Sequence, residues 1–261
     1  MQSDIINLNL IQMACAYIFV LVVILLTKFQ GISREKQILL SCFRMTLQLT
    51  IVGYLLIYIF KSDSPIFTIA IISLMEIFAL RNIVKLAKFK VSKDMLKIIS
   101  ISLVLGTIIC IAFFLFVVVR VKPIYNPQYV IPITGMLLGN SMTGISIGVN
   151  RLYDDIKSGS EKIEGALMLG ATPKSATMEM VQNSFDAAIL PTINSIMSIG
   201  VVSLPGMMTG QILSGVSPLI AIEYQIAIML GILGAVSLSV FFFTRYAYKT
   251  YFNDEVQLTI D

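Results

Sequence analysis

Apolar residues fall along this chain in long runs separated by short polar breaks. Taking a membrane-crossing helix as about 20 apolar residues, seven runs qualify: 8–27, 37–60, 65–86, 98–119, 130–152, 183–205 and 219–244. The fifth and sixth are the least uniformly apolar, so their edges are the least sharply drawn. The expected fold is all-α: a polytopic integral membrane protein with about seven transmembrane helices in one domain over 1–261. The first run is too long for a signal-peptide core, lacks a basic segment before it and has no small-residue cleavage site. It reads as a retained span.

Composition agrees with the pattern. The chain is 57% hydrophobic and 13% charged, with a mean hydropathy of +0.88, whereas soluble domains carry roughly 25% charged residues. A separate soluble enzyme domain has no room. Histidine is absent, and Cys15, Cys42 and Cys110 all lie in apolar runs. That excludes His/Cys zinc sites, Cys–His nucleophiles and a disulfide framework. The net charge of +4 is spread over short loops, so no nucleic-acid partner is implied.

Basic residues set the orientation, because cytoplasmic loops carry the excess of Lys and Arg. With seven spans and the N-terminus outside, fifteen of the nineteen fall inside. The exceptions are Lys61, Arg120 and Lys122 outside and Arg44 within a span. The reverse topology inverts the bias, so the C-terminus and the segment 153–182 are expected in the cytoplasm. The loop 120–129 holds Pro123 and Pro127 and is expected to be extended.

Within 153–182 lies EKIEGALMLGATPKSA, Glu161 to Ala176. Gly170 suits the left-handed residue that ends a helix. Thr172 can cap the next helix, and Pro173 suits its first position. Ile163, Ala166, Leu167 and Gly170 recur at helical spacing and predict one small, apolar face. These signals together predict two helices meeting at a corner. The pattern leaves two uses open, a docking elbow for a soluble partner or an ordinary hairpin between spans.

From Val130 onward the chain is rich in Gly, Ser, Thr, Asn, Pro and Met. Gly135, Gly139, Gly144 and Gly148 recur at near four-residue intervals, and Pro191, Pro205, Gly206, Gly210 and Gly215 interrupt the stretch from 183 to 218. Such residues serve close helix packing or a broken backbone lining a cavity. Asn140, Ser141, Thr143, Asn194, Ser203 and Gln211 offer oxygens to a translocation pathway, and Met142, Met207 and Met208 offer thioethers. No spacing fixes a coordination geometry, so metal ligands stay unassigned. Arg44 and Glu76 lie at membrane depth, where a charge marks function by default. A structural pair across neighbouring spans is the other reading. Asp186 and Glu223 lie near span ends and are expected to be solvated.

Nothing supports catalysis on this chain: there is no GxxxxGK[ST], no HExxH and no Ser/His/Asp set. EGALMLGATPKSA resembles the cytoplasmic EAA loop of ABC-transporter permeases, which docks into the ATPase subunit. Glu164, Ala166 and Gly170 match in order and spacing, and Ile189, Leu190 and Pro191 resemble the closing element. Gly165 departs from the usual alanine, and Pro191 lies further from Gly170 than the general loop places it. More widely, GNSMTG, RLYDDI, LMLGATPKSA, LPTINSIMSIGVVSLPGMMTGQILSG and AIEYQIAIML resemble the Fet-type iron-export permease family, related to plant aluminium-tolerance permeases.

That resemblance implies a plasma-membrane permease subunit, not an enzyme, that exports iron or another metal ion. ATP and magnesium would bind a separate ATP-binding subunit, with no cofactor on this chain, in a homodimer of the permease with two ATPases. The ATPase contact would fall on Glu164, Ala166, Leu167, Gly170, Ala171, Thr172 and Pro173. Three other readings remain. The same architecture could export a nucleotide sugar such as UDP-glucose. The chain could be a stand-alone carrier with Glu76 and Arg44 as coupling groups, or a structural membrane protein.

Overall fold

The computed structural model describes residues 9–60 and 64–259. Lys61 and the first residue of the first expected span lie outside them. The chain divides into two compact units, Met1–Asp63 with Leu213–Gly215, and Ser64–Ile212 with Val216–Asp261.

The first unit contains α1 (Leu10–Ala16), α2 (Ile18–Phe29) and α3 (Glu35–Phe60). Helices α1 and α2 form one apolar rod interrupted at Tyr17, whose hydroxyl shares a hydrogen bond with that of Thr46 on α3. Gly31, at φ +69°, turns the chain after α2. None of the rod's residues is buried. Arg44 is exposed on α3.

The second unit is the packed one. It holds α4 (Pro65–Leu86), α5 (Lys93–Phe113) with a π-helical continuation over Phe114–Val119, and α6 (Pro127–Ser158). After these come α7 (Ser160–Met168), α8 (Pro173–Ala176), α9 (Met178–Ser198), most of α10 (Gly206–Leu213), and α11 (Pro218–Ala247) with a 3-10 turn at Tyr248–Tyr251. Side-chain pairs give the directions. Ser184 donates to the Gly148 carbonyl, and Gly144 faces Ala188, so α9 runs antiparallel to α6. Gly106 faces Ser239 and Gly234 faces Cys110, so α11 runs antiparallel to α5. Asn82 reaches Met142, and Lys88 reaches Asn150, so α4 and α6 run together.

Glycine decides how closely these helices approach. A Cβ on Gly144 would come within 2.8 Å of Val236, and one on Gly148 within 3.4 Å of Ser184. Around those contacts lies a buried core of Leu137, Ile145, Val149 and Leu152 of α6, Ala188 of α9, and Val236, Val240 and Phe243 of α11. Gly139, by contrast, has nothing within 4 Å of a would-be Cβ. Close packing is therefore the role of Gly144 and Gly148 but not of Gly139.

Six helical stretches among the described residues are long and apolar enough to cross a bilayer: Leu10–Phe29, Glu35–Phe60, Pro65–Leu86, Lys93–Val119, Pro127–Ser158 and Pro218–Tyr251. The expected span 183–205 needs correction. Its helix, α9, begins at Met178, inside the expected 153–182 segment, and stops at Ser198. Gly200 at φ +90° then turns the chain, and a new helix starts at Gly206. Helix α9 still lies along α6, but Gln182, Asn183, Asp186 and Asn194 make it a polar element of the bundle. Helix α6 overruns its expected end in the other direction. Its 32 residues make a rod of about 48 Å, longer than a hydrocarbon core of about 30 Å.

Candidate functional site

The last turns of α6 lead into the elbow. Gly159 ends α6 and opens α7, at a point where a Cβ would lie 2.8 Å from Met180 Cε. Ile163 is fully buried and ties α7 to the core, with Leu167 packed half-buried beside it. At the far end of α7, Gly170 sits at φ +88°. Its N–H donates to the Leu167 carbonyl and that of Ala171 to the Ala166 carbonyl, both at 2.9 Å. This is the paired-bond ending that a left-handed glycine permits, and it satisfies two carbonyls the helix leaves open. Thr172 Oγ1 then accepts from Ser175 N at 3.3 Å, and Pro173 opens α8. The corner is thus built from the residues whose local chemistry predicts it.

Its outward surface differs from the expected one. Part of the Ile163–Leu167 face turns inward, whereas Met168 and Leu169 are 86% and 92% exposed. Glu164, Gly170 and Thr172 are exposed beside them, and Ala166, Ala171 and Pro173 are half-buried. Helical spacing does not single out Met168 or Leu169, because both lie off the stripe of Ile163, where the pattern looks for apolar positions.

Two braces hold the elbow. Lys162 Nζ on α7 donates to Glu179 Oε2 on α9 at 2.7 Å, and that hydrogen bond, with the lysine charge, holds the Glu179 carboxyl below its usual range. Helix α8 also packs on the 3-10 turn Tyr248–Tyr251. At the same end of the unit, RLYDDI fastens the 87–92 loop. Lys88 Nζ donates to Asp154 at 2.5 Å, Lys88 N to Asn150 Oδ1 at 2.9 Å, and Phe89 stacks on Tyr153 at 4.2 Å.

The residues named for a translocation pathway separate into four groups. Met142 and Thr143 line a groove of about 460 Å³ with Leu86, Ser146, Ile147, Asn150, Arg151 and Asp154, and Asn82 Nδ2 donates to Met142 Sδ at 3.5 Å. Asn140 is exposed on α6 and Asn194 on α9, and the α6–α9 register puts them at similar depth. Ser203, Met207, Met208 and Gln211 belong to the broken stretch after α9. Met208 is buried beside a cavity of about 420 Å³ that Gln225 also lines, while Ser203 is exposed in the turn. Ser141 is fully buried, turned into the core rather than toward the open face.

Glu76 finds its partner inside its own unit, where Thr107 Oγ1 donates to Oε1 at 2.7 Å, and among the described residues the buried Oε2 has no hydrogen-bond partner. Asp186 and Glu223 are exposed. Among the described residues no three His, Cys, Asp or Glu side chains gather as a metal site.

Long apolar helices, with one polar helix packed among them, define an integral, multi-pass, all-α membrane protein. The chain belongs to the uncharacterised protein family UPF0014, which it matches over residues 10–252. It is 37% identical over 240 residues to the UPF0014 membrane protein slr1647 of Synechocystis, covering 91% of each chain. It is 34% identical over 254 residues to the probable iron export permease protein FetB of Escherichia coli, covering 97% of this chain and 96% of that one. It is also 34% identical over 256 residues to protein ALUMINUM SENSITIVE 3 of Arabidopsis thaliana, covering 96% and 90%. No solved structure matches it.

Proposed function

We propose that this chain is the permease subunit of an ABC transporter that exports iron or another metal ion across the plasma membrane, powered by a separate ATP-binding subunit. The observation that carries this reading is the braced corner at Gly170, which leaves Met168 and Leu169 exposed. An apolar knob on a short, capped helix suits the groove of a soluble motor subunit. The likeness to a protein described as a probable iron export permease supports the cargo class.

In this reading the elbow faces the cytoplasm, as does the C-terminus, and the N-terminus lies outside. ATP and magnesium bind the partner, and closure of two such partners pushes α7 and α8. Ile163, buried in the core, passes the motion to α6 and α9. The outward polar groups of both helices, including Asn140, Thr143, Asn183 and Asn194, are costly against hydrocarbon. A homodimer with the pathway between the copies would cover them. Neutral oxygens and thioethers along it would hold a cargo ion weakly enough to release it.

Co-purification with the candidate ATP-binding subunit tests the reading. The native chain is expected to form a stable complex whose ATPase activity rises with the exported metal. Leu169→Asp, which disturbs no core contact, is expected to lose both. Transport by the purified chain alone, abolished by Glu76→Gln, would instead establish an ion-coupled carrier. ATPase activity stimulated by a nucleotide sugar and not by metal would keep the architecture and replace the cargo.

A further inference from the structure

Between the start of α9 and the end of α11, with α8 of the elbow at its mouth, lies a cavity of about 300 Å³. Its walls are Met178, Val181 and Phe185 from α9 with Phe241 and Thr244 from α11. Its mouth carries Lys174 from α8, Gln182, Arg245 and Tyr248. The antiparallel helices give it a polarity. Phe185 lies opposite Phe241, and Met178 opposite Tyr248, about 10 Å nearer the elbow end. An apolar slot thus opens on a cationic rim at the elbow end of the unit.

The rim has no internal counter-charge. Among the described residues neither Lys174 nor Arg245 takes part in an ion pair, and no carboxylate lines the cavity. The nearby Glu179 is engaged by Lys162. Two exposed cations from different elements, with a phenol and an amide beside them, are the chemistry that holds a phosphate. The apolar slot below suits an acyl chain, and basic pockets between membrane helices take anionic head groups.

We infer that this cavity binds an anionic phospholipid, its phosphate held between Lys174 and Arg245 and an acyl chain lying along Val181, Phe185 and Phe241. The lipid fastens α8, the second half of the elbow, to the end of α11, and so makes the elbow's stiffness depend on the charge of the surrounding leaflet. Neither the cargo nor the ATP-binding partner enters this chemistry, so a failed transport assay leaves the site untouched.

The test uses the full-length chain purified in detergent. Thermal unfolding is followed by circular dichroism while phosphatidylglycerol, phosphatidylcholine or inorganic phosphate is added, and retained lipid is counted by native mass spectrometry. Phosphatidylglycerol is expected to stay bound and raise Tm by several degrees, with no effect of the other two. Lys174→Gln and Arg245→Gln are each expected to weaken it about fivefold, and together roughly 25-fold. Val181→Trp, which fills the slot and keeps both charges, is expected to lose the retained lipid. An unchanged phosphatidylglycerol response in the double variant would overturn the site. So would an equal response to phosphatidylcholine, and inorganic phosphate reproducing the shift would reduce it to a bare anion site.

Discussion

Gly106 of α5 and Ser239 of α11 meet so closely that a Cβ on the glycine would lie 2.1 Å from the serine Oγ and 2.7 Å from its Cα and backbone nitrogen. The obstruction is largely main chain, which cannot rotate away. Gly106→Ala is expected to push α5 and α11 apart and cost about 1–3 kcal/mol, read as a lower Tm by circular dichroism. Ser239→Ala in the same background is expected to leave most of that loss in place. Full recovery would mean the side chain, not the backbone, sets the approach.

Gly144 and Gly139 lie on the same helix and predict opposite outcomes. A Cβ on Gly144 would meet Val236 Cγ1 at 2.8 Å and Val240 Cγ2 at 3.3 Å, and valine is stiff at χ1. Gly144→Ala is expected to destabilise by about 1 kcal/mol or more, with Val236→Ala relieving much of it in a double-mutant cycle. Gly139→Ala meets open space and removes a helix-interior glycine, so it is expected to be neutral or to stabilise by up to about 1 kcal/mol. A pathway role for the open face predicts that the same Gly139→Ala variant, although folded, alters transport.

Gly170 is limited by its backbone alone, since nothing lies within 4 Å of a would-be Cβ and φ is +88°. Gly170→Ala is expected to cost about 1 kcal/mol locally, and Gly170→Asn less. Hydrogen exchange at the Ala171 amide, bonded to Ala166, reads the loosening directly. Unchanged protection in Gly170→Ala would show that α8 and its packing, not the glycine, hold the corner.

The Lys162–Glu179 link sets a pH response. The folded carboxyl is held below its ordinary value of 4.5 by the lysine hydrogen bond and charge. A depressed carboxylate stabilises above its unfolded pKa, and that contribution is lost as pH falls through the lower folded value. The pair is therefore intact at neutral pH and loosens only under acid. Lys162→Met is expected to bring the Glu179 titration, followed by carboxyl ¹³C NMR, back up toward 4.5. Because both side chains are exposed, the change in global stability is expected to be small.

Much of the elbow is legible in the sequence because its signals are local. A left-handed glycine, a capping threonine and a proline at the first helical position each act on the few residues beside them, and Gly170, Thr172 and Pro173 do so here. The span Pro65–Leu86 coincides with its apolar run for the same reason. Hydropathy misplaces helix α9 because it looks for apolar residues, and Gln182, Asn183 and Asp186 near the helix start are polar. What holds it in the bundle is the fit of Ser184 and Ala188 against Gly148 and Gly144, contacts formed across 36 or more positions of sequence.

Composition and near neighbours are enough to establish an all-α membrane protein with a capped corner in a basic segment, since burial in lipid and the ending of helices depend on little else. Which side of each helix faces what is a matter of packing alone. Packing sends Ser141 inward and Asn140 outward, although they are adjacent, and pairs Glu76 with Thr107. It leaves Met168 and Leu169 in the open and brings Lys174 and Arg245 to one rim. The reason is geometric: adjacent helical residues point about 100° apart, and only the contacts between distant helices set which of those directions becomes the interior.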